Sequence, residues 1–281
     1  MLKSVAQKLK ALLPQKLKYR LFAAFLLLIL LPFSVLNIYN YTKIESLVQQ
    51  EISEQSREQL LSMQRALEDQ MSIAFKTLIF LEQDSTIRSV LQSPDSRSPL
   101  VNKRLVEERF QDINNSFFLY NPYVYFTLLD LHGSVYTSYP PAERLDYETY
   151  ISLPSFKQTM QRQSPLWIPN DENDVLKDIS KSPSLLSLYA PLKDHRNLSY
   201  GLARISIDYT YWFQSTLSRS DSGQAYFIIT GEGEQIAGSV TDAILSVSVI
   251  GKIVDAPQDG YLLDENGSSL INYSYLDSLN W

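Results

Sequence analysis

Along the chain, the spacing of apolar positions separates helical from extended stretches. The segment LFAAFLLLILLPFSVLNIY, Leu21–Tyr39, carries no charged side chain and no amphipathic repeat. At 1.5 Å per residue it would reach about 28 Å, close to the hydrocarbon thickness of a bilayer. From Thr42 to Phe80 there is neither Pro nor Gly. Apolar side chains recur there at Ile44, Val48, Ile52, Leu60, Met63, Leu67, Met71, Phe75, Leu78 and Ile79. Steps of three and four dominate, the signature of one helical stripe. Gln55 and Ser56 break a strict heptad, so a long spine helix is expected rather than a free coiled coil.

SPDSRSP (Ser93–Pro99) is a break, and a second helix is expected over Leu100–Phe118 with the stripe Val101, Leu105, Phe110, Ile113 and Phe117. The period then shortens. YVYFTLLDLHGSVYTSY predicts two strands about a turn at Asp130–Gly133. SPLWIP predicts a short strand, and Leu185–Tyr209 two longer ones joined by a polar turn. TYWFQSTL predicts a brief helix leaving the sheet. QAYFIITGEGEQIAGS and GYLLDENGSSLINYS each predict a hairpin, the second turning at Glu265–Asn266–Gly267. Parallel strand–helix–strand units are absent from this order, which excludes a doubly wound nucleotide fold.

Charge sharpens the picture at the N-terminus. Residues 1–20 hold six basic and no acidic side chains, while the rest of the 281-residue chain holds 19 basic against 31 acidic. A basic flank beside an uncharged apolar run predicts an uncleaved membrane helix over 21–41 with the basic tail in the cytoplasm. The run continues through Val35, Leu36, Asn37 and Ile38 without the small-residue site of a cleaved signal peptide. The expected organisation is a cytoplasmic tail at 1–20, a transmembrane helix at 21–41, a larger unit at 42–220 and a smaller one at 221–281, both outside the cell. The acidic exterior argues against nucleic acid.

Catalytic signatures are lacking. The chain has no Cys, and its two histidines, His132 and His195, both fall in predicted turns; they form neither a zinc pair nor a triad. GEGEQI lacks the third glycine of a dinucleotide turn. DENDVLKD (Asp171–Asp178) lacks the sixth-position Gly and twelfth-position Glu of a calcium loop. No catalytic residue and no cofactor is assigned.

The basic N-terminus, the single apolar run, the uninterrupted outer helix, the PSFKQTMQRQSPLWIP approach to a Trp strand, the pair LSLYAPLKD and YGLARISID, and the following SGQAYFIITGEGEQIAGS together resemble the extracellular double Cache sensor region of bacterial receptors. The resemblance is especially to two-component sensor histidine kinases. It covers nearly the whole chain after Thr42 as a pattern, with no single diagnostic motif. The fold class it implies is α+β: a long N-terminal transmembrane and spine helix followed by a double Cache pair of antiparallel sheets.

The resemblance further implies a small-molecule pocket on the membrane-distal sheet, with the ligand shifting the anchoring helices and so regulating a cytoplasmic kinase. Trp167 and Tyr189 are the expected stacking residues, and Arg204 and Asp208 the expected charged contacts. Spaced by four, the latter two share one face of a strand. Some amino-acid-binding relatives carry Arg two residues before the Trp and a Tyr-x-Asp motif; here Pro165 and Tyr189-Ala190-Pro191 stand instead, so a carboxylate, sugar or peptide stays open. The expected partners are that ligand, the lipid bilayer and a second copy of the chain. A chemoreceptor, a membrane-bound transcription regulator and a standalone anchored binding protein are the alternatives. The strand-forming end SSLINYSYLDSLNW leads us to expect that the coding sequence continues into a second apolar run and a kinase.

Overall fold

The computed structural model describes residues 17–118, 123–142, 146–208, 211–212, 225–238, 245–256, 259–263 and 270–276, apart from the side chains of residues 17–20, 23–24, 42, 45–46, 48–50, 237 and 263. The chain divides into two units, residues 1–58 and 59–281. Helix α1 runs over Leu17–Gln83, 67 residues with Pro32 inside it.

In the first unit the described side chains of α1 from Leu21 to Leu47 are exposed, most of them apolar, with Ile52 following. The expected transmembrane helix, and with it that part of the fold class, is corrected here. Among the described residues, no helix is long and apolar enough to cross a membrane. The described apolar side chains do not form one unbroken span. Pro32, Ser34 and Asn37 interrupt the run, and beyond Asn40 the helix becomes largely polar.

The second unit is α+β. From Gln59 on, α1 buries Met63, Leu67, Met71, Ala74, Leu78 and Leu81, at steps of four, four, three, four and three. That is the helical stripe, rotated from the expected one over its last turns. Ala74 and Leu81 lie inside, whereas Phe75 and Ile79 are about 40% exposed. A small residue lets the helix axis approach what it packs on, so Ala74 takes the place that bulk alone would have given to Phe75.

Helix α2 (Ser85–Gln92) follows at once, capped by Asp84, whose Oδ1 accepts the Ile87 amide at 2.8 Å. A 3₁₀ turn (Pro94–Ser96) leads to α3 (Pro99–Phe117), which starts with Ser98 as N-cap and Pro at its first turn, as helix starts prefer. Its buried positions are Asn102, Val106, Phe110 and Ile113. Val101, expected inside, is exposed, and Asn102 is buried instead because its amide donates to the Pro94 carbonyl at 2.8 Å.

The sheet comprises β1 (Val124–Asp130), β2 (Val135–Thr137), β3 (Leu166–Glu172), β4 (Ser184–Lys193) and β5 (Ser199–Asp208) in the order β2-β1-β5-β4-β3. Every pair is antiparallel. Helices α4 (Tyr147–Ser152) and α5 (Pro154–Arg162) lie between β2 and β3 in sequence. The β1–β2 turn is built by Asp130, whose Oδ1 accepts the amides of His132 and Ser134 at 2.8 Å each, with Gly133 at φ 106°. The β4–β5 turn repeats the device: Asp194 accepts from Arg196 and Leu198, and Asn197 sits at φ 62°. Asx turns of this kind replace a backbone turn with a side chain, so both histidine-bearing segments are turn structure.

Alternation divides the sheet into two unlike faces. Phe126, Leu128, Leu186, Leu188, Ala190, Ala203, Ile205 and Ile207 join the α1, α2 and α3 side chains in one apolar core. The register puts Thr127, Arg204, Tyr189 and Leu166 in one row on the opposite face.

Two hairpins complete the described structure: β6 (Phe227–Ile229) with β7 (Gln235–Gly238), and β8 (Gly260–Leu263) with β9 (Leu270–Tyr273). Helix α6 (Val247–Val254), unforeseen from the sequence, lies between them. The first hairpin turns with Gly233 at φ 87°. The expected Glu265–Asn266–Gly267 turn and most of the TYWFQSTL segment lie outside the described residues.

Candidate functional site

The polar face of the sheet is covered by the described parts of the segment from Tyr139 to Ser182, among them α4 and α5, while its stretch Leu166–Glu172 is the edge strand β3 itself. Its two ends run together: the Ala142 amide donates to the Asp174 carbonyl at 2.8 Å, and the Leu176 amide to the Pro140 carbonyl at 3.0 Å. An isolated bridge joins Pro141 and Val175. This pairing sets Tyr139 beside Asp174. Phe156, with Leu153 and Met160 partly buried against the same cluster, packs with Leu129, Tyr150, Tyr189 and Leu202.

Arg204, on β5, is the centre of what that segment encloses. Its side chain is 2% exposed. Nε and Nη2 both reach Asp171 Oδ2, at 2.8 and 2.7 Å. Nη2 also donates to the Glu172 carbonyl at 2.6 Å, and Nη1 meets Asp174 Oδ1 at 2.8 Å. Tyr189, directly opposite on β4, donates its hydroxyl to Asp171 Oδ2 at 3.0 Å, and its ring centroid lies 5.7 Å from the guanidinium carbon. Asp174 Oδ2 accepts the Tyr139 hydroxyl at 2.7 Å and, by a shorter bond, that of Tyr150. Thr127 closes the ring against Tyr139 at 2.9 Å.

Burial by itself opposes the guanidinium charge, but Tyr189, Asp171, Tyr139 and Asp174 outweigh it, and Arg204 stays a cation far above the ordinary range. Burial also pushes the hydroxyls of Tyr139, Tyr150 and Tyr189 well above their usual value, with Asp174 or Asp171 adding to it. The tyrosines therefore act as fixed donors to carboxylates.

The four residues singled out from the sequence separate into three places. Arg204 and Tyr189 are adjacent in the cluster. Asp208 shares their face of the sheet but is fully buried in its own setting, accepting the hydroxyls of Ser180 and Ser182 and the Tyr211 amide at 3.2 Å. Trp167 pairs with Leu188 and packs, partly buried, against the apolar core on the other face. Asp171, Asp174, Tyr139 and Tyr150 had not been singled out as site residues. The signal in the sequence is DENDVLKD, which fails as a calcium loop; two of its carboxylates turn inward onto arginine. Among the described residues, no group of three or more His, Cys, Asp or Glu is placed to hold a metal.

The sequence matches no family profile and no curated protein. The fold does have solved counterparts. The extracellular domain assigned to the histidine kinase vpHK1S-Z8 is similar over 81% of this chain and 88% of its own, with a TM-score of 0.57 at 15% identity. A domain of a sensory box/GGDEF family protein from Vibrio parahaemolyticus gives 0.56 at 16% identity, covering 81% and 91%. The V. cholerae histidine kinase DctB sensor domain gives 0.52 at 12% identity, covering 80% and 86%. The chain thus shares the fold of these bacterial sensor domains.

Proposed function

We propose that this chain is the extracytoplasmic ligand-sensing input region of a bacterial signalling receptor, and that the Arg204 cluster is where a small molecule is read. The observation that carries the reading is a buried, multiply paired cation between a five-stranded sheet and a covering segment, in a fold shared with sensor domains. Enclosed polar groups with perturbed protonation, held by several elements, are where recognition chemistry concentrates.

Contacts within the second unit support transmission from that site. Glu82 near the end of α1 accepts the Lys193 amide on its side chain at 3.0 Å, and its carbonyl accepts the Tyr200 hydroxyl at 3.0 Å. Earlier in α1, Gln64 bonds Ser274 at 2.7 Å and the Tyr275 carbonyl at 3.3 Å. A shift of β4 and β5 on ligand binding would act directly on α1, and the output it would drive is a histidine kinase.

The test is a thermal-shift screen of the full chain against small metabolites, repeated on Asp174→Asn. A ligand whose stabilising effect is present in the parent and lost in the variant supports the site. Ligands that stabilise both proteins equally would place recognition away from Arg204.

A further inference from the structure

The Arg204 cluster holds more negative charge than positive. Asp171 and Asp174 bring two carboxylates to one guanidinium, and the three tyrosines are neutral donors. Glu172 adds only its carbonyl there. The guanidinium already hydrogen-bonds Asp171 through Nε and the Glu172 carbonyl through Nη2, and stands at ion-pair distance from Asp174 through Nη1, so a ligand carboxylate would have to displace an aspartate and deepen the local deficit. A ligand cation would neutralise it, and would find carboxylate oxygens and tyrosine rings already facing a cation.

We infer that the cluster is a cation cage occupied in the resting protein by the chain's own Arg204, and that the molecule it recognises is a small organic cation of the guanidinium or ammonium class. This rests on the reading of the Arg204 cluster as the sensing site. The guanidinium is a tethered stand-in for the ligand: it satisfies Asp171 and Asp174 until a free cation shares or takes over their oxygens. Competition for those oxygens loosens the hold of β5 on the covering segment and on the sheet edge, since Asp174 belongs to the covering segment, Asp171 to the edge strand β3 and Arg204 to β5.

Arg204→Ala empties the cage without touching its walls. The probes are methylguanidinium, methylammonium, acetate and neutral urea, each at low millimolar concentration and matched in ionic strength with sodium chloride, with melting of the full chain as the readout. The expected result is a lowered melting temperature in Arg204→Ala that methylguanidinium raises by several degrees, methylammonium raises less, and acetate and urea leave unchanged. Asp174→Asn in the same background should remove most of the rescue. If Arg204→Ala does not fold, the parent protein takes its place: the cations should shift its melting and Asp174→Asn should remove the shift. Stabilisation by acetate that Asp174→Asn alters would overturn the cation assignment and leave the site in place. No response to either charge class, in parent or variant, would overturn the cage, while a metabolite response untouched by Asp174→Asn would overturn the site itself.

Discussion

Asp174 meets Arg204 at 2.8 Å through one carboxylate oxygen, and its other oxygen accepts the hydroxyls of Tyr139 and Tyr150. One side chain thus joins a loop, a helix and a central strand. Removing one partner of a buried ion pair leaves the other uncompensated. Asp174→Asn should therefore cost about 3 kcal/mol by urea denaturation. Asp171 still pairs Arg204, so the cost should stay below that of Arg204→Met, which strands two carboxylates. Combining Arg204→Met with Asn at both 171 and 174 should recover part of the loss. A triple variant weaker than Arg204→Met alone would refute this account.

The tyrosines of the cluster predict alkaline lability. In the folded protein Tyr139, Tyr150 and Tyr189 keep their protons well past the ordinary value of 10.0, with burial the main cause. Unfolded tyrosines lose theirs near that value, so above it the unfolded state binds fewer protons and stability falls as pH rises. The contribution is complete below pH 10.0 and is lost progressively above it. Urea midpoints should hold steady on the neutral side and drop on the alkaline side, with a shallower drop in Tyr189→Phe. Tyrosinate absorbance from the buried set should appear together with unfolding. Full ionisation of a chain that is still folded would contradict the assignment.

Trp167 should behave as a core residue. It packs on the face of the sheet that meets the helices, so Trp167→Ala removes partly buried apolar area and should cost about 2 kcal/mol. Ligand-dependent shifts at the Arg204 cluster should survive it. Their loss in an otherwise folded variant would bring Trp167 back to the site.

Gly201 tests the closeness of β1 and β5. A Cβ at this position would lie 2.6 Å from the Leu129 carbonyl oxygen and 3.1 Å from Leu91 Cδ1. The backbone oxygen cannot move without disturbing the ladder, so Gly201→Ala should cost about 1–3 kcal/mol. A melting temperature equal to that of the parent would show that the strands can separate freely.

Asp208 should act on the covering segment rather than on ligand charge. It holds Ser180 and Ser182, while Asn173 bonds Ser180 at 2.9 Å and the Ser182 carbonyl at 2.7 Å. Asp208→Ala should destabilise the fold and speed hydrogen exchange between residues 173 and 182 before it alters ligand selectivity. Unchanged exchange in that segment would count against the tether.

Local patterning carried the elements a long way. Steps of three and four marked α1 and α3, the period-two stretches marked β1, β4 and β5, and Asp130 and Asp194 with their following Gly133 and Asn197 marked the tight turns. These features are encoded within a few residues, so the sequence by itself determined them, together with the Cache-type likeness that their order produces. It also placed Arg204 and Tyr189 on strands, where the Cache resemblance made them candidates.

What the sequence could not decide was which faces meet. Trp167 and Tyr189 lie on adjacent strands, but Trp167 pairs with Leu188 and Tyr189 with Leu166, so the two rings fall on opposite sides of the sheet. Register is a property of two strands together and is not written in either one. The choice of Ala74 over Phe75 for the buried stripe of α1 likewise depends on how closely a partner packs. The two carboxylates on Arg204 come from about thirty residues away in sequence: Asp171 is brought there by the pairing of β3 with β4, and Asp174 by that of residues 140–142 with 174–176. In the sequence Asp171 and Asp174 are two acids in a run of charge. Only the fold, by burying them beside a guanidinium where water cannot screen them, made them its partners.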